Sequence, residues 1–441
     1  MIINKKLYIK TYGCQMNVYD SFKMESLLKP HGFNLISDQK DADLIILNTC
    51  HIRKKASEKI YSELGKIQKN SLGKKIIVVV AGCVAQAEGE EIFKRAKNVD
   101  IIVGPQSYHN LPKLLERVKR NQKWLIDLNF DEKNKFDTIN IPQKVRHSSF
   151  LTIQEGCDKF CHFCCVPYTR GKEYSRKIPD IYREALQLVL QGAQEITLLG
   201  QNVSSFNGHE HGERFRRLGW LIKKLATIDR LKRIRYITSH PKDMTNDELF
   251  TTHATEKKLM PLLHLPIQSG SDKILKSMNR NHTRSFYLKI VEKFRKYRSD
   301  IAFSSDFIVG YPGESDKDFE DTLSLIKDVN FAQCFSFKYS PRPGTPASVI
   351  ENQILEPIKS ERLKIMQSLL RKQQLQFNKE FIGRYVDVLF EKAGKYCNQF
   401  IGKSPHLQSV VIESNKSIIG TIQRVKILKA DYNSLVGTIS H

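Results

Sequence analysis

The stretch GCDKFCHFCCVPYTRG, from Gly156 to Gly171, constrains this chain more than any other because it holds four of the nine cysteines. Three of them, Cys157, Cys161 and Cys164, form a CxxxCxxC unit that follows the apolar run 150–153. A loop with this spacing can fold three thiolates around one inorganic centre. A cubane iron–sulfur cluster takes four thiolates, one per iron, so three ligands would leave one iron open to a cofactor or substrate.

Three other interpretations of this loop remain open. A structural zinc site is closed by four ligands, usually in paired CxxC half-sites, and His162 lies too close to its neighbours to complete such a set easily. A disulfide framework is typical of small secreted domains, whereas this chain has 441 residues. Packing cysteines are the plainest alternative, but packing explains four in one turn poorly. Cys165 should point away from the other thiols and act as a small hydrophobic residue.

Length and composition indicate the class of protein. At roughly 150 residues per domain, 441 residues predict about three domains. With 40% hydrophobic and 27% charged residues, the composition is that of a soluble globular protein. No apolar run reaches the roughly 18 residues that a membrane span needs. The N-terminal MIINKKLYIKTYG is typical of a strand rather than a signal peptide, so we expect a cytoplasmic protein without membrane contact.

The charge is strongly basic, with 71 Lys and Arg against 47 Asp and Glu and a formal net charge of +24 at pH 7. Such an excess favours a polyanionic partner such as nucleic acid. A general lysine-rich bias would give the same excess, so charge alone does not decide between the two. A reducing compartment fits the cysteines, because cluster thiolates must stay free of disulfides.

The first third of the chain repeats one pattern three times: an apolar strand, a cysteine at its end and a helix. LYIKT (7–11) precedes Cys14, DLIILN (43–48) precedes Cys50, and IIVVVA (76–81) precedes Cys83. Apolar runs that alternate with helices predict a doubly wound parallel sheet covered on both faces. Ligands of such sheets bind at the carboxyl ends of the strands. The three cysteines can therefore converge and hold a second centre.

The remaining elements of this part are less sharply bounded. Asn17 is predicted to cap the first helix. The stretch 121–147 is polar and aperiodic and is predicted to link this first domain (1–120) to the next. Further expected elements are helices at 53–69, 88–97 and 111–118 and a strand at 101–103.

The middle of the chain, residues 148–378, contains six strand-like runs, each followed by a turn-rich segment and a helix. This alternation predicts a parallel (β/α)6 barrel that is left open at one side, whose chemistry lies at the carboxyl ends of the strands. Gly200 and Gln201 follow the second run, and Gln268 and Ser269 follow the fourth. After an amphipathic helix at 363–378, residues 379–441 form short apolar runs that predict a small antiparallel β-barrel.

These motifs together resemble the tRNA-modifying radical S-adenosylmethionine (SAM) methylthiotransferases. The resemblance rests on EGCDKFCHFCCVPYTRG and on KTYGCQMN, LNTCHIRKKA, AGCVAQAEG and VGPQ. It implies two [4Fe–4S] clusters: one that binds SAM, on Cys157, Cys161 and Cys164, and an auxiliary one tied to sulfur delivery, on Cys14, Cys50 and Cys83. It also implies that Gly200 and Gln201 hold the amino group of SAM, with Gln268 and Ser269 nearby, and that the tail is a TRAM domain, a small RNA-binding barrel.

The resemblance also implies the reaction. Cleavage of SAM would give a 5′-deoxyadenosyl radical that removes hydrogen from an unactivated C–H bond. The implied substrate is N6-isopentenyladenosine at position 37, beside the tRNA anticodon, methylthiolated at C2 with a methyl group from a second SAM. We expect a monomer served by an electron donor protein such as a flavodoxin or ferredoxin.

Two kinds of alternative remain for the function. The strings NTCHIRKKA, VPYTRG and TSHP favour the isopentenyladenosine branch over sister enzymes that modify a ribosomal-protein aspartate or threonylcarbamoyl-adenosine. We take Tyr168 to Gly171 in particular as a mark of a tRNA substrate. An alternative from another class is a non-catalytic iron–sulfur or zinc protein that binds RNA.

Overall fold

The computed structural model describes residues 4–50, 54–70, 75–130, 146–210, 212 and 214–440, without the side chains of 54–57. The chain divides into two compact units. The first contains the described residues up to 130 together with Gln154–Asp158 and Cys164–Arg176. The second contains 146–153, Lys159–Phe163 and 177–440. The cysteine loop thus contributes residues to both units.

The first unit is built on a six-stranded sheet in which every pairing is parallel. Two separate hydrophobic cores include alternate residues of its strands, which explains why the central strand Leu44–Thr49 is buried along its whole length. The predicted doubly wound parallel sheet is therefore confirmed. From edge to edge the strands are Phe33–Leu35, Lys5–Thr11, Leu44–Thr49, Ile77–Gly82, Ile101–Val103 and Leu125–Asp127. The helices are Gln15–Leu28, Lys54–Asn70, Cys83–Glu88, Glu91–Arg95, Leu111–Lys119 and Val166–Arg170, and a small hairpin pairs Gln154–Glu155 with Tyr174–Ser175.

Three expectations for this unit are wrong in detail. Asn17 does not cap the first helix, because its side chain is buried and donates to the Thr49 carbonyl oxygen over 2.9 Å; Cys14 occupies the capping position. The helix expected at 88–97 is shorter, Glu91–Arg95, and a separate helix, Cys83–Glu88, starts directly after the strand. Part of the predicted linker is the edge strand Leu125–Asp127, which is too short to show a period in the sequence. The linker residues 131–145 lie outside the described part of the chain.

The larger barrel of the second unit is built from six strands in two parallel sheets of three, joined by an isolated parallel bridge between Ile234 and Leu259. Among the described residues, no pairing connects the last strand with the first. The predicted open (β/α)6 barrel is confirmed. In order, the strands are Ser148–Thr152, Glu195–Leu199, Arg233–Tyr236, Leu262–His264, Ala302–Val309 and Gln333–Lys338. The helices are Ile178–Leu190, Leu218–Ala226, Asp247–Thr255, Asp272–Ser277, Arg284–Tyr297 and Asp316–Val329, and Asn207–His209 pairs with Phe215–Arg217 in a hairpin.

The tail of this unit is a helix, Glu356–Lys379, followed by a closed five-stranded barrel. Around the barrel the strands are Tyr385–Ala393, Gln399–Lys403, Ser409–Glu413, Ser434–Ile439 and Ile422–Ala430. Four pairings are antiparallel, but the one between Ser409–Glu413 and Ser434–Ile439 is parallel. The predicted small antiparallel barrel is confirmed except at this pair, because directions cannot alternate around a ring with an odd number of strands.

Two buried arginines fasten this small barrel to the larger one. Arg233 donates to the carbonyl oxygen of Asp387 over 2.7 Å, and Arg235 donates to that of Ser404 over 2.8 Å. The carboxylate of Glu195 lies 3.0 Å from the Arg235 guanidinium and offsets part of its charge. The tail is therefore held by charge-assisted hydrogen bonds. Across the described ranges, no helix has the length and apolar character needed to cross a membrane.

Candidate cluster and cofactor sites

The three cysteines of the first unit meet at one edge of its sheet. Cys14 follows Lys5–Thr11, Cys50 follows Leu44–Thr49, and Cys83 follows Ile77–Gly82, and these three strands are neighbours in the sheet. Cys50 and Cys83 are buried, and Cys14 is partly exposed. The Cys50 thiol lies within hydrogen-bonding reach of Cys14, and Cys83 interacts electrostatically with Cys14. Strand ends thus bring together residues that are up to 69 positions apart.

A glycine makes this convergence possible. Gly13 has a φ of +121°, and a Cβ atom placed on it would lie 2.3 Å from the Cys50 Cβ and 3.0 Å from its sulfur. Only a residue without a side chain permits both that backbone conformation and that approach. The glycine before the first cysteine is therefore a requirement of the site.

The cysteines of this group differ in their ionisation. A hydrogen bond from Cys50, assisted by the positive charge of Arg170, lowers the pKa of Cys14 to about 6, although partial desolvation of the thiol opposes this. Burial raises the pKa of Cys83, and Arg170 only partly opposes that rise. Because the thiolate is the form that binds iron, the lowered pKa favours the iron-binding form of Cys14.

Arg170 is the charged centre of this edge. Its guanidinium lies 2.5 Å from Glu155 Oε1 and 2.8 Å from Asp20 Oδ2, and it is also within hydrogen-bonding reach of Cys83. All three members of this ion triad are buried, with 2% exposure or less. The backbone oxygen of Arg170 accepts a hydrogen bond from Gln106 Nε2 over 2.8 Å. The segment after the cysteine loop is thereby fixed to the sheet edge that carries the three cysteines.

This placement changes the meaning of the VPYTRG string. We read Tyr168 to Gly171 as a mark of the tRNA substrate, yet Thr169 and Arg170 are buried in the first unit. Of this string, only Tyr168, at 49% exposure, presents a large side chain outward. The ion triad itself was missed in the sequence. Its one signal is the carboxylate of Glu155, which stands between an apolar run and the first Gly-Cys of the loop.

The cysteine loop is tied down separately in each unit. In the first unit, the backbone N–H of Cys157 donates to the Gly171 carbonyl over 3.2 Å, and Cys164 Sγ accepts from the Val166 N–H over 3.5 Å. Gly156, with a φ of +77°, again leaves no room for a side chain, since a Cβ would lie 1.8 Å from the Lys172 oxygen. Cys165 is buried at the start of helix Val166–Arg170.

In the second unit, Cys161 lies beside the buried Arg280. Arg280 Nη1 donates to Cys161 Sγ over 3.4 Å, and Nη2 donates to the Pro266 carbonyl over 2.5 Å. Within the described residues, Arg280 pairs with no carboxylate, and its Nε has no hydrogen-bond partner. Nearby, Nε2 of His240 and Nε2 of His282 are buried without a partner, and their rings are 5.5 Å apart. Burial, reinforced by Arg280, lowers the pKa of both imidazoles.

The residues expected near SAM lie at strand ends of the second unit. Gly200, which is buried, and Gln201 follow strand Glu195–Leu199 directly. Gln268 has a φ of +81°, and its backbone bonds Asp306 and Ile308 of the neighbouring strand. The hydroxyl of Ser269 is fully buried, 3.3 Å from that of Thr322. These residues lie at strand ends, and their contact with SAM stays a prediction; Ser269 also has a packing role of its own.

Comparison with known proteins decides the family. Residues 6–104 match the uncharacterized protein family UPF0004, and residues 151–326 match the radical SAM superfamily. A tRNA-2-methylthio-N(6)-dimethylallyladenosine synthase of Rickettsia felis is 57% identical over 99% of this chain and 100% of the relative. That of Rickettsia bellii is similar to the same extent. The chain belongs to the tRNA-2-methylthio-N(6)-dimethylallyladenosine synthase family.

Solved structures agree with this assignment at the level of the fold. The radical SAM methyltransferase TsrM from Kitasatospora setae matches with a TM-score of 0.57 and 11% identity over 79% of this chain and 77% of that one. The cobalamin-dependent radical SAM enzyme OxsB matches with a TM-score of 0.52 and 11% identity over 84% of this chain and 56% of its own. At such identity the likeness concerns the fold alone.

The donor sets of this synthase-family chain fit iron–sulfur clusters. In the described ranges, no three His, Cys, Asp or Glu side chains are placed to hold a single metal ion. A cubane differs from a single ion because each thiolate binds a different iron, so its ligands stand further apart. The Arg170 and Arg280 N–H groups beside Cys83 and Cys161 are donors of the kind that stabilise cluster thiolates.

Proposed function

We propose that this chain catalyses methylthiolation at C2 of N6-isopentenyladenosine at position 37 of tRNA, using two [4Fe–4S] clusters and using SAM as both radical source and methyl donor. The observation that carries the proposal is full-length identity of 57% to synthases named for this product. The meeting of Cys14, Cys50 and Cys83 at one sheet edge supports it independently.

In this proposal Cys157, Cys161 and Cys164 hold the cluster that binds SAM, and Cys14, Cys50 and Cys83 hold the auxiliary cluster. When bound, these groups supply the electron that cleaves SAM and the sulfur that is inserted. Gly200, Gln201, Gln268 and Ser269 lie around SAM, at the strand ends where barrel enzymes place their chemistry.

The chain's own residues prepare both sites. Burial of Cys50 and Cys83 limits access of water to the auxiliary site. The ion triad of Asp20, Glu155 and Arg170 fixes the sheet edge around it. Arg280 orients Cys161 and donates to its sulfur. None of these residues needs to exchange a proton with substrate, which suits a reaction that begins with a radical.

The proposed partners follow from charge and reaction type. A net charge of +24 favours tRNA, whose phosphates a basic surface would hold, and an exposed anticodon loop lets a base enter a pocket without duplex unpairing. The barrel of residues 379–441 would serve as the RNA-binding TRAM domain, beside a radical SAM domain of residues 148–378. We further propose a cytoplasmic monomer reduced by a flavodoxin- or ferredoxin-type donor.

Nucleoside mass spectrometry of tRNA tests this function directly. Cells that lack the protein should lose 2-methylthio-N6-isopentenyladenosine and accumulate N6-isopentenyladenosine. Complementation with wild type or with Cys165→Ala should restore the product, whereas Cys164→Ala should not, although the two positions are adjacent. Unchanged 2-methylthio-N6-isopentenyladenosine in the deletion strain would refute the assignment.

The non-catalytic alternative is separated by cofactor chemistry. After anaerobic reconstitution, a protein with two cubanes binds about eight irons per chain and cleaves SAM when reduced. A protein that only binds RNA through one cluster or a zinc ion would bind about four irons or fewer and would leave SAM intact.

A further inference from the structure

The inner face of the open barrel carries polar and aromatic side chains to which no role has yet been given. In strand Ala302–Val309, Phe303 contacts Phe294 of an outer helix with ring centroids 6.3 Å apart, so the odd-numbered residues face outward. Side chains alternate along a strand, and Ser304 and Asp306 therefore face the barrel interior.

The parallel register places neighbouring residues on the same face. His264 is paired with Ser304, and Asp306 is paired with Phe335. His264 Nδ1 lies 2.8 Å from Ser304 Oγ, its Nε2 lies 3.6 Å from Asp306 Oδ2, and its ring is edge-on to Phe335 with centroids 6.3 Å apart. We call His264, Asp306 and Phe335 the inner-face triad.

The exposure of Phe335 distinguishes it from the other aromatic residues of these strands. Its ring is 45% exposed, whereas Phe303 and Phe307 on the outer face are 1% and 0% exposed. Exposing an aromatic ring inside a barrel costs free energy that the fold could recover by burying it. A flat ligand that covers the ring would recover that energy.

The inner-face triad lies next to the part of the barrel that holds Cys161. Two residues after His264, the Pro266 carbonyl accepts a hydrogen bond from Arg280, and Arg280 also contacts Cys161. Every residue in this chain of contacts belongs to the second unit. A ligand on the triad would therefore sit close to the proposed SAM site.

We propose that the inner-face triad binds the purine base that is to be modified. The inference rests on the proposed function and names residues for its substrate. Phe335 stacks on the base, as aromatic side chains do with unstacked RNA bases. Asp306 accepts a hydrogen bond from the exocyclic N6–H, and the His264 ring, whose Nε2 lies 3.6 Å from Asp306 Oδ2, lies beside that carboxylate.

SAM also contains an adenine, but the triad is assigned to the RNA base. Of the residues expected to hold SAM, Gly200 and Gln201 follow a different strand, Glu195–Leu199, whereas Gln268, which precedes Ser269, donates its backbone N–H to the Asp306 carbonyl over 3.0 Å. The strongly basic chain favours an RNA ligand that brings its own base. The two adenines can be distinguished by experiment.

The test uses the reconstituted full-length enzyme and an anticodon stem-loop RNA that carries N6-isopentenyladenosine. Phe335→Ala should raise the KM for the stem-loop about 10- to 100-fold, the loss expected for one stacked base. The Kd for SAM should stay within about twofold, and Phe335→Tyr should restore the KM. The control is Phe215→Ala, which removes a ring that is 50% exposed on a hairpin outside the inner face and should leave both constants unchanged.

A second substrate tests the role of Asp306. A stem-loop with N6-methyl-N6-isopentenyladenosine keeps the isopentenyl group but has no N6–H to donate, so the wild type should bind it more weakly than the isopentenyl RNA. Asp306→Ala should lose most of that preference, with a melting temperature close to that of wild type as the check on folding.

Each outcome has a distinct meaning. An unchanged stem-loop KM in Phe335→Ala, while the wild type is active, would overturn the inference and leave the proposed function intact. A Kd for SAM that rises as much as the KM would also overturn it, since the triad would then bind the cofactor. Only a wild type that never methylthiolates the stem-loop would count against the proposed function itself.

Discussion

The two cysteine sites each contain one buried arginine, and the two arginines are compensated differently. Arg170, beside Cys83, is held by two buried carboxylates, Asp20 and Glu155. Arg280, beside Cys161, donates to a backbone carbonyl and to the sulfur itself, with no carboxylate partner among the described residues. Leaving the cysteines aside, Arg170 with its two carboxylates carries a net charge of about −1 beside Cys83. Arg280 alone carries about +1 beside Cys161.

This difference matters for iron–sulfur chemistry. Net charge and hydrogen bonds to sulfur are among the factors that set a cluster's reduction potential. An uncompensated cation beside Cys161 would favour the reduced state of a cluster held there, as the proposed function requires of the site that cleaves SAM. The extra negative charge beside Cys83 would favour the oxidised state of a cluster held at that site, which suits a role in handling sulfur rather than electrons.

The largest effects are expected from removing one site at a time. In Gly13→Ala the new Cβ would meet Cys50 at 2.3 Å, and in Gly156→Ala it would meet the Lys172 oxygen at 1.8 Å, both at positive φ. Each variant should bind about four irons instead of about eight, and only Gly156→Ala should lose SAM cleavage. Gly192→Ala is the matched control, because Gly192 also has a positive φ (+106°) but has no atom within 4 Å of the added Cβ. Full iron content in both variants would show that neither glycine is needed.

Arg170→Gln should have the second-largest effect. It leaves Asp20 and Glu155 buried without their cation, which should cost about 3–5 kcal/mol of the free energy of unfolding. The measurement is urea unfolding of the apoprotein, with iron content after reconstitution as a second readout. The control is Arg183→Gln, which removes an exposed pair with Asp180 and should cost less than about 1 kcal/mol. A loss as small as the control's would mean that the ion triad does not stabilise the site.

Arg280→Gln should have a smaller effect on stability, because it strands no buried carboxylate. We expect a cost of about 1–3 kcal/mol from the lost hydrogen bond to Pro266. The potential of the cluster on the cysteine loop should fall, because a positive charge has been removed beside it. Arg280→Lys keeps the charge and should retain most of the potential. An unchanged reduction potential in Arg280→Gln would show that the charge of Arg280 does not distinguish the two sites.

The smallest effect concerns acid sensitivity. Burial, with help from Arg280, lowers the pKa of His282 from its ordinary value near 6.5 to about 3. Below pH 6.5 this histidine is therefore protonated in the unfolded chain but not in the folded chain. The free energy of unfolding falls as the pH drops from 6.5 toward 3. His282→Gln should recover about 1–2 kcal/mol of that loss at pH 5 relative to pH 8. His31→Gln, at an exposed position, should leave the pH dependence of urea unfolding unchanged; an equal response in both variants would contradict the assignment.

Features carried by local pattern could be predicted from the sequence. Continuous apolar runs at 43–48 and 76–81 indicated the parallel sheet, and the cysteines after them indicated a shared site, since strand ends of such a sheet lie together. The ion triad could not be predicted, because Asp20 is 150 residues from Arg170 and only the fold brings them together.

The errors in the predicted secondary structure also arise from tertiary contacts, which the sequence does not show. Asn17 is a residue type that often caps helices, but its side chain donates a hydrogen bond to the Thr49 carbonyl oxygen instead. Leu125–Asp127 is too short to show any period and is a strand only because Ile101–Val103 offers it an edge. Local preference yields to tertiary contacts at both places.

The central claim is that one chain carries two separate three-cysteine cluster sites. Iron analysis with Mössbauer spectroscopy of the reconstituted wild type and of two triple variants tests it most directly. One variant replaces Cys14, Cys50 and Cys83 by alanine, and the other replaces Cys157, Cys161 and Cys164. We predict about eight irons per chain as cubanes in the wild type and about four in each variant. About four irons in the wild type, or loss of all iron in either variant, would contradict the claim.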